Sequence, residues 1–377
     1  MKRGTCAVML LTVLVAGCGT QSYTAVDKRA STNDVGWKTA EVSVPVGPKA
    51  AVYDEGTDSL LIVARQVTAK PETVSLYRFE IATSKLTETV LGDAKGYVRP
   101  AIAHGEDGSI WVAWGHALRH ISGNDIDSWA IPDPAKTAIE KTQEPEIATD
   151  AISLAIAPSG DVWVAEIGVR TAMIFSPAAQ EWSNSKSLGV VPHSLSDLVI
   201  EPDGTVNVTG EDVPGEDSSS VARLTSTDDA GTVFGKALHL ALTESGGVVG
   251  LDKGTVSVYE SGKLASQPVV GTASVPGNSG LTVIGDDVWF WSDSTDGILL
   301  NRALLKGGDT RQYKVPLTEP HKVQGPISRG GHLSGDALHW NPNIQSIVAD
   351  AHGQIWLLAL SAPAASPLAS ELMTLKS

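Results

Sequence analysis

Leu154–Ala165, LAIAPSGDVWVA, places an apolar run, a polar break and a second apolar run within a short span. Each run is too short for a helix. The Pro-Ser-Gly-Asp break suits a tight turn, so the stretch predicts two paired strands. The pattern recurs in Arg99–Trp114 (RPAIAHGEDGSIWVAW), Leu195–Gly210 (LSDLVIEPDGTVNVTG) and Leu238–Asp252 (LHLALTESGGVVGLD). It recurs again in Gly280–Ser292 (GLTVIGDDVWFWS) and Ile344–Ala359 (IQSIVADAHGQIWLLA), with a looser first copy at Lys49–Arg65. The copies are spaced roughly 40–60 residues apart, a period that marks solenoids, propellers or arrays.

The residues after each copy decide among these. Strand-like runs continue beyond the core pair, as in TAMIFSP and EWSNSKSLG after the third copy. Helix-period segments are nearly absent. Four antiparallel strands per copy make a propeller blade, so the expected fold is all-β: a β-propeller of seven four-stranded blades. The second strand of each blade should be apolar on both faces, because neighbouring blades cover both. Ile110-Trp111-Val112, Val162-Trp163-Val164, Val288-Trp289-Phe290 and Ile355-Trp356-Leu357 fit. A recurring tryptophan there fills the gap between splayed blades. Asn207 and Gly250 break the pattern, so the fourth and fifth blades should pack less tightly there. The last copy has only three strand runs, ending in Glu371–Lys376. Trp37–Val44 (WKTAEVSV) resembles an outer strand and is expected to complete that blade and close the ring.

In such a blade the first-to-second and third-to-fourth turns lie on one face of the disc. The remaining connections lie on the other. The long stretches Pro132–Asp150, Glu211–Ser220 and Pro316–Pro342 all fall in that second class, which makes their face the expected functional surface. The residues expected there are Arg99, His116, His193, His321, Arg329, His332, His339 and Trp340. Histidines converging at a channel mouth can act as acid and base or hold a metal, and His193 and His321 are the candidates for catalysis. No pair has a recognisable metal-ligand spacing, so no metal site is assigned. His104 and His239 are expected in or beside first strands, as packing residues.

The N-terminus adds a cellular context. Lys2 and Arg3 precede an apolar run from Ala7 to Ala16, too short to span a bilayer comfortably, ending in Val15-Ala16-Gly17-Cys18. This resembles the bacterial lipobox. The resemblance implies cleavage before Cys18, acylation of its thiol, and a membrane partner reached through that lipid. The expected organisation is residues 1–17 signal peptide, 18–36 flexible tether and 37–377 propeller. Residue Gly19 is not Asp, which favours the outer membrane in a two-membrane cell. The domain is therefore expected outside the cytoplasm, on the cell membrane or outer membrane. Of the 2 cysteines, Cys6 leaves with the leader and Cys18 is acylated, so thiol chemistry and disulfides are excluded from the domain. The formal charge of −15 with no basic cluster excludes nucleic acid as a partner.

The motif x-D/S-G-x-I/V-W-V after a short apolar strand resembles NHL and streptogramin-lyase-like propellers, including sensor domains of bacterial regulators. Streptogramin lyases use a channel histidine and a divalent cation to open a cyclic ester by elimination; His193 in PHSLSDLVIEPDG is the positional analogue. Two functions are expected from these readings. The first is a binding or scaffold module for a protein, peptide or glycan, without a cofactor. The alternative is a metal-dependent lyase or hydrolase with His193 near the channel mouth and a divalent cation.

Overall fold

In a computed structural model the chain forms a seven-bladed β-propeller. The structure describes residues 9–11, 38–39, 49–66, 71, 73–93, 100–105, 107–114, 117–123, 125–132, 151–166, 171–183, 186–187, 194–211, 219–224, 231–252, 254–266, 280–294, 297–307, 311–315, 343–361 and 369–376. Blade 1 comprises Lys49–Asp54, Ser59–Gln66, Thr73–Glu80 and Lys85–Asp93. Blade 2 runs from Ala101–His104 to Asp125–Ala130, and blade 3 from Ala151–Ile156 to Lys186–Ser187. Blade 4 comprises Ser194–Ile200, Val206–Glu211, Ser219–Leu224 and Thr232–Gly235. Blade 5 comprises His239–Leu242, Val248–Asp252, Thr255–Glu260 and Lys263–Ser266. Blade 6 runs from Leu281–Ile284 to Arg311–Lys314. Blade 7 contains Asn343–Ala349, Gln354–Ser361 and Ala369–Lys376.

The hairpin turns explain why the repeats look alike. In blade 3 the Ala157 N–H donates to Asp161 O at 2.8 Å and the Gly160 N–H to Ala157 O at 2.8 Å. Gly160 has φ 85°, a left-handed conformation that glycine adopts without steric cost. Glu201 with Gly204 and Asp350 with Gly353 repeat the same pair of bonds in blades 4 and 7.

Ring closure takes the expected form. Lys38 and Thr39 pair antiparallel with Thr374 and Met373, so an N-terminal strand completes blade 7. Of the expected stretch Trp37–Val44, residues 37 and 40–44 lie outside the described residues. Met9–Leu11 also pairs antiparallel with this edge, through Leu10 with Met373 and Leu11 with Leu372. That segment falls within the stretch read as a leader. Lys38–Thr39 makes its own pairs with Ala369–Lys376 and does not need Met9–Leu11 to do so.

The tryptophans pack between blades. Trp111 meets Val162, Val164 and Phe175 of blade 3. Trp163 meets Leu198, Val206 and Val208 of blade 4. Trp289 packs against Ile347, Ile355 and Leu357 of blade 7, and Trp356 against Leu60, Ile62 and Phe79 of blade 1. Each indole thus faces the following blade, as its position in a doubly covered strand requires. Trp356 gains a polar anchor as well, donating from Nε1 to Asp350 Oδ2 at 2.8 Å.

One expectation is corrected. Gly250 does not occupy the tryptophan position. Ala241 pairs with Val249 as Ala155 pairs with Trp163, so Val249 is the equivalent residue and Gly250 comes one later. Nor is Gly250 a gap. A Cβ there would lie 2.8 Å from Ala237 Cβ and 3.1 Å from Tyr259 Cε2, because these side chains already fill the space. Asn207 does take the tryptophan position, and it is fully buried.

Candidate binding site

Of the residues singled out by sequence, Arg99, His116, His193, His321, Arg329, His332, His339, Trp340 and Cys18 lie outside the described residues. The described residues nearest to His116 in sequence are Trp114 and Ala117. There the Arg119 guanidinium carbon sits 3.1 Å from the centre of the Trp114 ring, and burial pushes its pKa down to about 10.

His104 and His239 both lie in first strands. His104 Nε2 is 3.4 Å from Asp54 Oδ1, while Arg78 Nη1 is 2.6 Å from Asp54 Oδ2. Burial alone would raise the Asp54 pKa. Hydrogen bonds from Thr57 and Arg78 and the nearby His104 and Arg78 charges outweigh it, and the carboxyl is held below its ordinary value. This cluster pins the first hairpin turn of blade 1. Deeper in the ring, His239 Nδ1 is 3.7 Å from Asp197 Oδ2, the same oxygen that accepts from the Leu240 N–H at 3.2 Å. Asp197 follows a bulge in its strand, which re-aims the side chain toward blade 5. Among the described residues no three of His, Cys, Asp or Glu form a metal-binding group.

The seam between blades 4 and 5 differs from the aromatic seams. Alternation along each strand sends Val206, Val208, Ala222 and Leu224 toward Trp163 of blade 3. The intervening residues Asn207, Thr209, Ser219, Val221 and Arg223 therefore face blade 5. Most of them are polar. Asn207 Nδ2 donates to Glu201 Oε1 at 2.9 Å, and Thr209 Oγ1 donates to the carbonyls of Ser220 and Ala237. Arg223 Nη2 reaches Glu201 Oε1 at 3.4 Å. Asn207 Oδ1, Ser219 Oγ and Arg223 Nε are enclosed and bonded to nothing among the described residues. Enclosed polar atoms of this kind cost about 1–3 kcal/mol each unless water or a ligand meets them.

On the other side Tyr259 wedges the seam open. Its hydroxyl accepts from Lys236 N at 3.2 Å and donates to Lys236 O at 3.0 Å. Its ring lies against Gly235, where a Cβ would come within 2.7 Å of it, and crosses Phe234 edge-on at 5.2 Å and 84°. Only glycine at 235 lets the aromatic ring approach the backbone this closely.

Above the ring is a groove of about 290 Å³. Phe234, Tyr259 and Leu264 supply apolar walls; Asp252, Thr255 and Ser257 supply polar ones; Gly235 and Lys236 complete the lining. Leu264 is 55% exposed. Asp252 Oδ1 is enclosed and has no hydrogen-bond partner among the described residues. Asp252 and Thr255 sit at the end of blade 5 that shares a disc face with Glu211 and Ser219, the described strand ends within the stretch Glu211–Ser220 singled out by sequence. The groove residues carried no motif. The replacement of tryptophan by Asn207 was the signal that this seam differs.

No protein-family model and no curated protein matches the chain. Solved structures do. Virginiamycin B lyase from Staphylococcus aureus is similar over 88% of this chain and 95% of that one, with TM-score 0.59 and 13% identity. YCF48 bound to D1 peptide matches over 94% and 98%, with TM-score 0.54 and 11% identity. The WD40 repeats of RRP9 match over 88% and 95%, with TM-score 0.56 and 10% identity. At these identities the likeness shows the propeller fold.

Proposed function

We propose that this chain is a lipid-anchored binding module of the bacterial cell envelope, and that it docks a protein or peptide at the groove between blades 4 and 5. The observation that carries the reading is the seam itself. Where Trp111, Trp163, Trp289 and Trp356 close other junctions with indole packing, this one has Asn207 at the tryptophan position and borders a groove with a half-exposed leucine. Other propellers support it by analogy, since YCF48 is seen bound to a D1 peptide. Anchoring rests on the Val15-Ala16-Gly17-Cys18 sequence, with the acylated Cys18 as the tethered end of the 18–36 linker. The domain then stands on the extracytoplasmic side of the membrane.

A photo-crosslinking residue at position 264 tests the docking site, with position 90 as control because Val90 is 57% exposed on blade 1. A discrete adduct is expected from position 264 and not from position 90. The adducted protein, once purified, should bind the unmodified chain and lose binding to Leu264→Arg. Identical adducts from both positions would overturn the assignment. Cys18→Ser should move the chain from the membrane to the soluble fraction; continued membrane association would overturn the anchor. Opening of a cyclic ester substrate by the purified chain with a divalent cation, lost in His193→Ala, would replace the binding reading with the lyase alternative.

A further inference from the structure

We infer that Arg119, held against the face of Trp114 at the seam between blades 1 and 2, binds the carboxylate of an acidic side chain carried on a peptide. The inference goes beyond the binding reading above and concerns a different junction from the groove.

Strand alternation sets the position. Arg119 pairs with Val112 across the second and third strands of blade 2, and Val112 and Trp114 pack on Leu61, Val63 and Leu76 of blade 1. Arg119 therefore leaves its strand on the blade 1 side. The Trp114 ring is buried, and its Nε1 donates to Asp93 O of blade 1 at 3.4 Å. The guanidinium lies over this fixed ring and makes one hydrogen bond, from Nη1 to Ala117 O at 3.4 Å. Stacking on an aromatic face leaves the in-plane donors of a guanidinium available. Nε and Nη2 form one edge of the fork. They have no partner among the described residues, and neither is enclosed as Arg223 Nε is.

The other half-buried arginines of known pairing have their anion. Arg78, Arg223 and Arg302 meet the carboxylates of Asp54, Glu201 and Asp287. Arg119 is half-buried as well and meets none among the described residues. Blade 6 shows a related arrangement with the anion in place. Arg302 lies over Trp289, and its Nη2 donates to Asp287 Oδ2. That bond holds the Arg302 pKa above its ordinary value, whereas burial alone pushes that of Arg119 down to about 10. Arg119 stays charged at neutral pH, and its desolvation is not offset by an opposite charge.

A carboxylate supplies what is missing. Its two oxygens match the parallel donors of the Nε–Nη2 edge, and its single charge balances one guanidinium. A phosphate brings about two charges and calls for more cation than one arginine in a chain of net charge −15. Trp114 and Ala117 end the second and third strands of blade 2, so the site faces the side of the disc that carries the long connections, where a peptide lying across that face reaches it. Val90 pairs with Ser75, which lies between Val74 and Leu76 on the opposite face of its strand, and so points away from this site.

Titrations of isotope-labelled protein test this, read at the Nε–H resonance of Arg119 and assigned by its absence in Arg119→Lys. The probes are capped pentapeptides with a central glutamate or glutamine, acetate, and inorganic phosphate. The glutamate peptide is expected to move that resonance downfield to saturation and to bind at least tenfold more tightly than the glutamine peptide, the gain expected of a charged hydrogen bond. By saturation-transfer NMR, Arg119→Lys should weaken the glutamate peptide by about tenfold and leave the glutamine peptide unchanged, because it keeps the charge and loses the paired edge. A resonance that stays still under the glutamate peptide, equal binding of the two peptides, or full binding by Arg119→Lys overturns the inference. Phosphate binding more tightly than the glutamate peptide overturns the choice of carboxylate, and acetate binding as tightly overturns the peptide as its carrier. Circular dichroism melts confirm that Arg119→Lys is folded, and the resonance of the parent chain decides the matter without any variant. If the adduct at position 264 fails while the resonance moves, the groove reading falls and this inference stands; the converse result reverses the two.

Discussion

Replacing Tyr259 by phenylalanine isolates one contribution to the blade 4–5 seam. The ring stays, still lodged between Gly235 and Gly250 and 4% exposed. The hydroxyl goes, and with it two hydrogen bonds to the backbone of Lys236, at 3.2 Å and 3.0 Å. Both Lys236 groups then lack their partner beside a groove that admits water only on one side. A lost partner costs about 1–3 kcal/mol when the group stays dry and less when water replaces it. The expected loss is about 1–2 kcal/mol, which lowers Tm by about 1–3 °C in a domain of this size. Tyr259→Ala also removes the ring and should cost about 3–5 kcal/mol, the range for emptying an aromatic site. Urea unfolding gives the global values. Hydrogen exchange at the Lys236 amide gives the local one, and Tyr259→Phe should accelerate it. An unchanged midpoint together with unchanged Lys236 exchange would refute the idea that the hydroxyl pins this strand end.

Four further outcomes are expected from the same packing and polar contacts. Trp163→Ala should cost about 3–5 kcal/mol in urea unfolding, because the indole fills the blade 3–4 junction; a loss under about 1 kcal/mol would show that it does not. Ser219→Ala should leave stability unchanged or raise it by up to about 1 kcal/mol, since it deletes an enclosed hydroxyl with no partner among the described residues; a loss above about 1 kcal/mol would mean that a buried water holds that hydroxyl. Asp54 is held below its ordinary value of 3.8, so its contribution is complete above that value and fades as pH falls through the folded one. The stability gap between the parent chain and Asp54→Asn should therefore narrow below about pH 4, and a gap in Tm that stays constant from neutral to acid pH would contradict this. Deleting 371–377 removes most of the strand that joins Gln354–Ser361 to Lys38–Thr39, so Tm should fall sharply; an unchanged Tm would sink the closure scheme.

Much of the scaffold was legible because it repeats. Each copy states the same turn and the same doubly covered strand, so errors in one are corrected by the others. Trp111, Trp163, Trp289 and Trp356 sit where that logic placed them, and so does the closing strand. Blade 5 misled at one residue. Its ESGG turn contains adjacent glycines, Gly246 and Gly247, and the tryptophan position falls on Val249 counted from the first and on Gly250 counted from the second. In a strand one position exchanges the two faces, which is why Gly250 looked like a defect in one seam when it is a fitted contact in another. The groove was illegible for a different reason. Its walls come from the last strand of one blade and the second to fourth strands of the next, and they meet only once twist and register are set. The residues that sequence favoured for function lie on connections and termini outside the described residues.

The polar seam also bears on how such a scaffold accommodates a binding site. A propeller is stable because every blade is covered on both faces, and a groove uncovers part of two of them. Here the uncovered part is confined to one junction. Tyr259 lies in it, tied to Lys236 at one end and seated on two glycines, while Asn207 donates to Glu201, the Thr209 hydroxyl meets the Ser220 and Ala237 carbonyls, and Arg223 pairs with Glu201. The costs of Asn207 Oδ1, Ser219 Oγ and Asp252 Oδ1 are confined to this junction and its edge. Under the binding reading proposed above, that local exception to the packing of the other junctions is where an occupant from outside would sit.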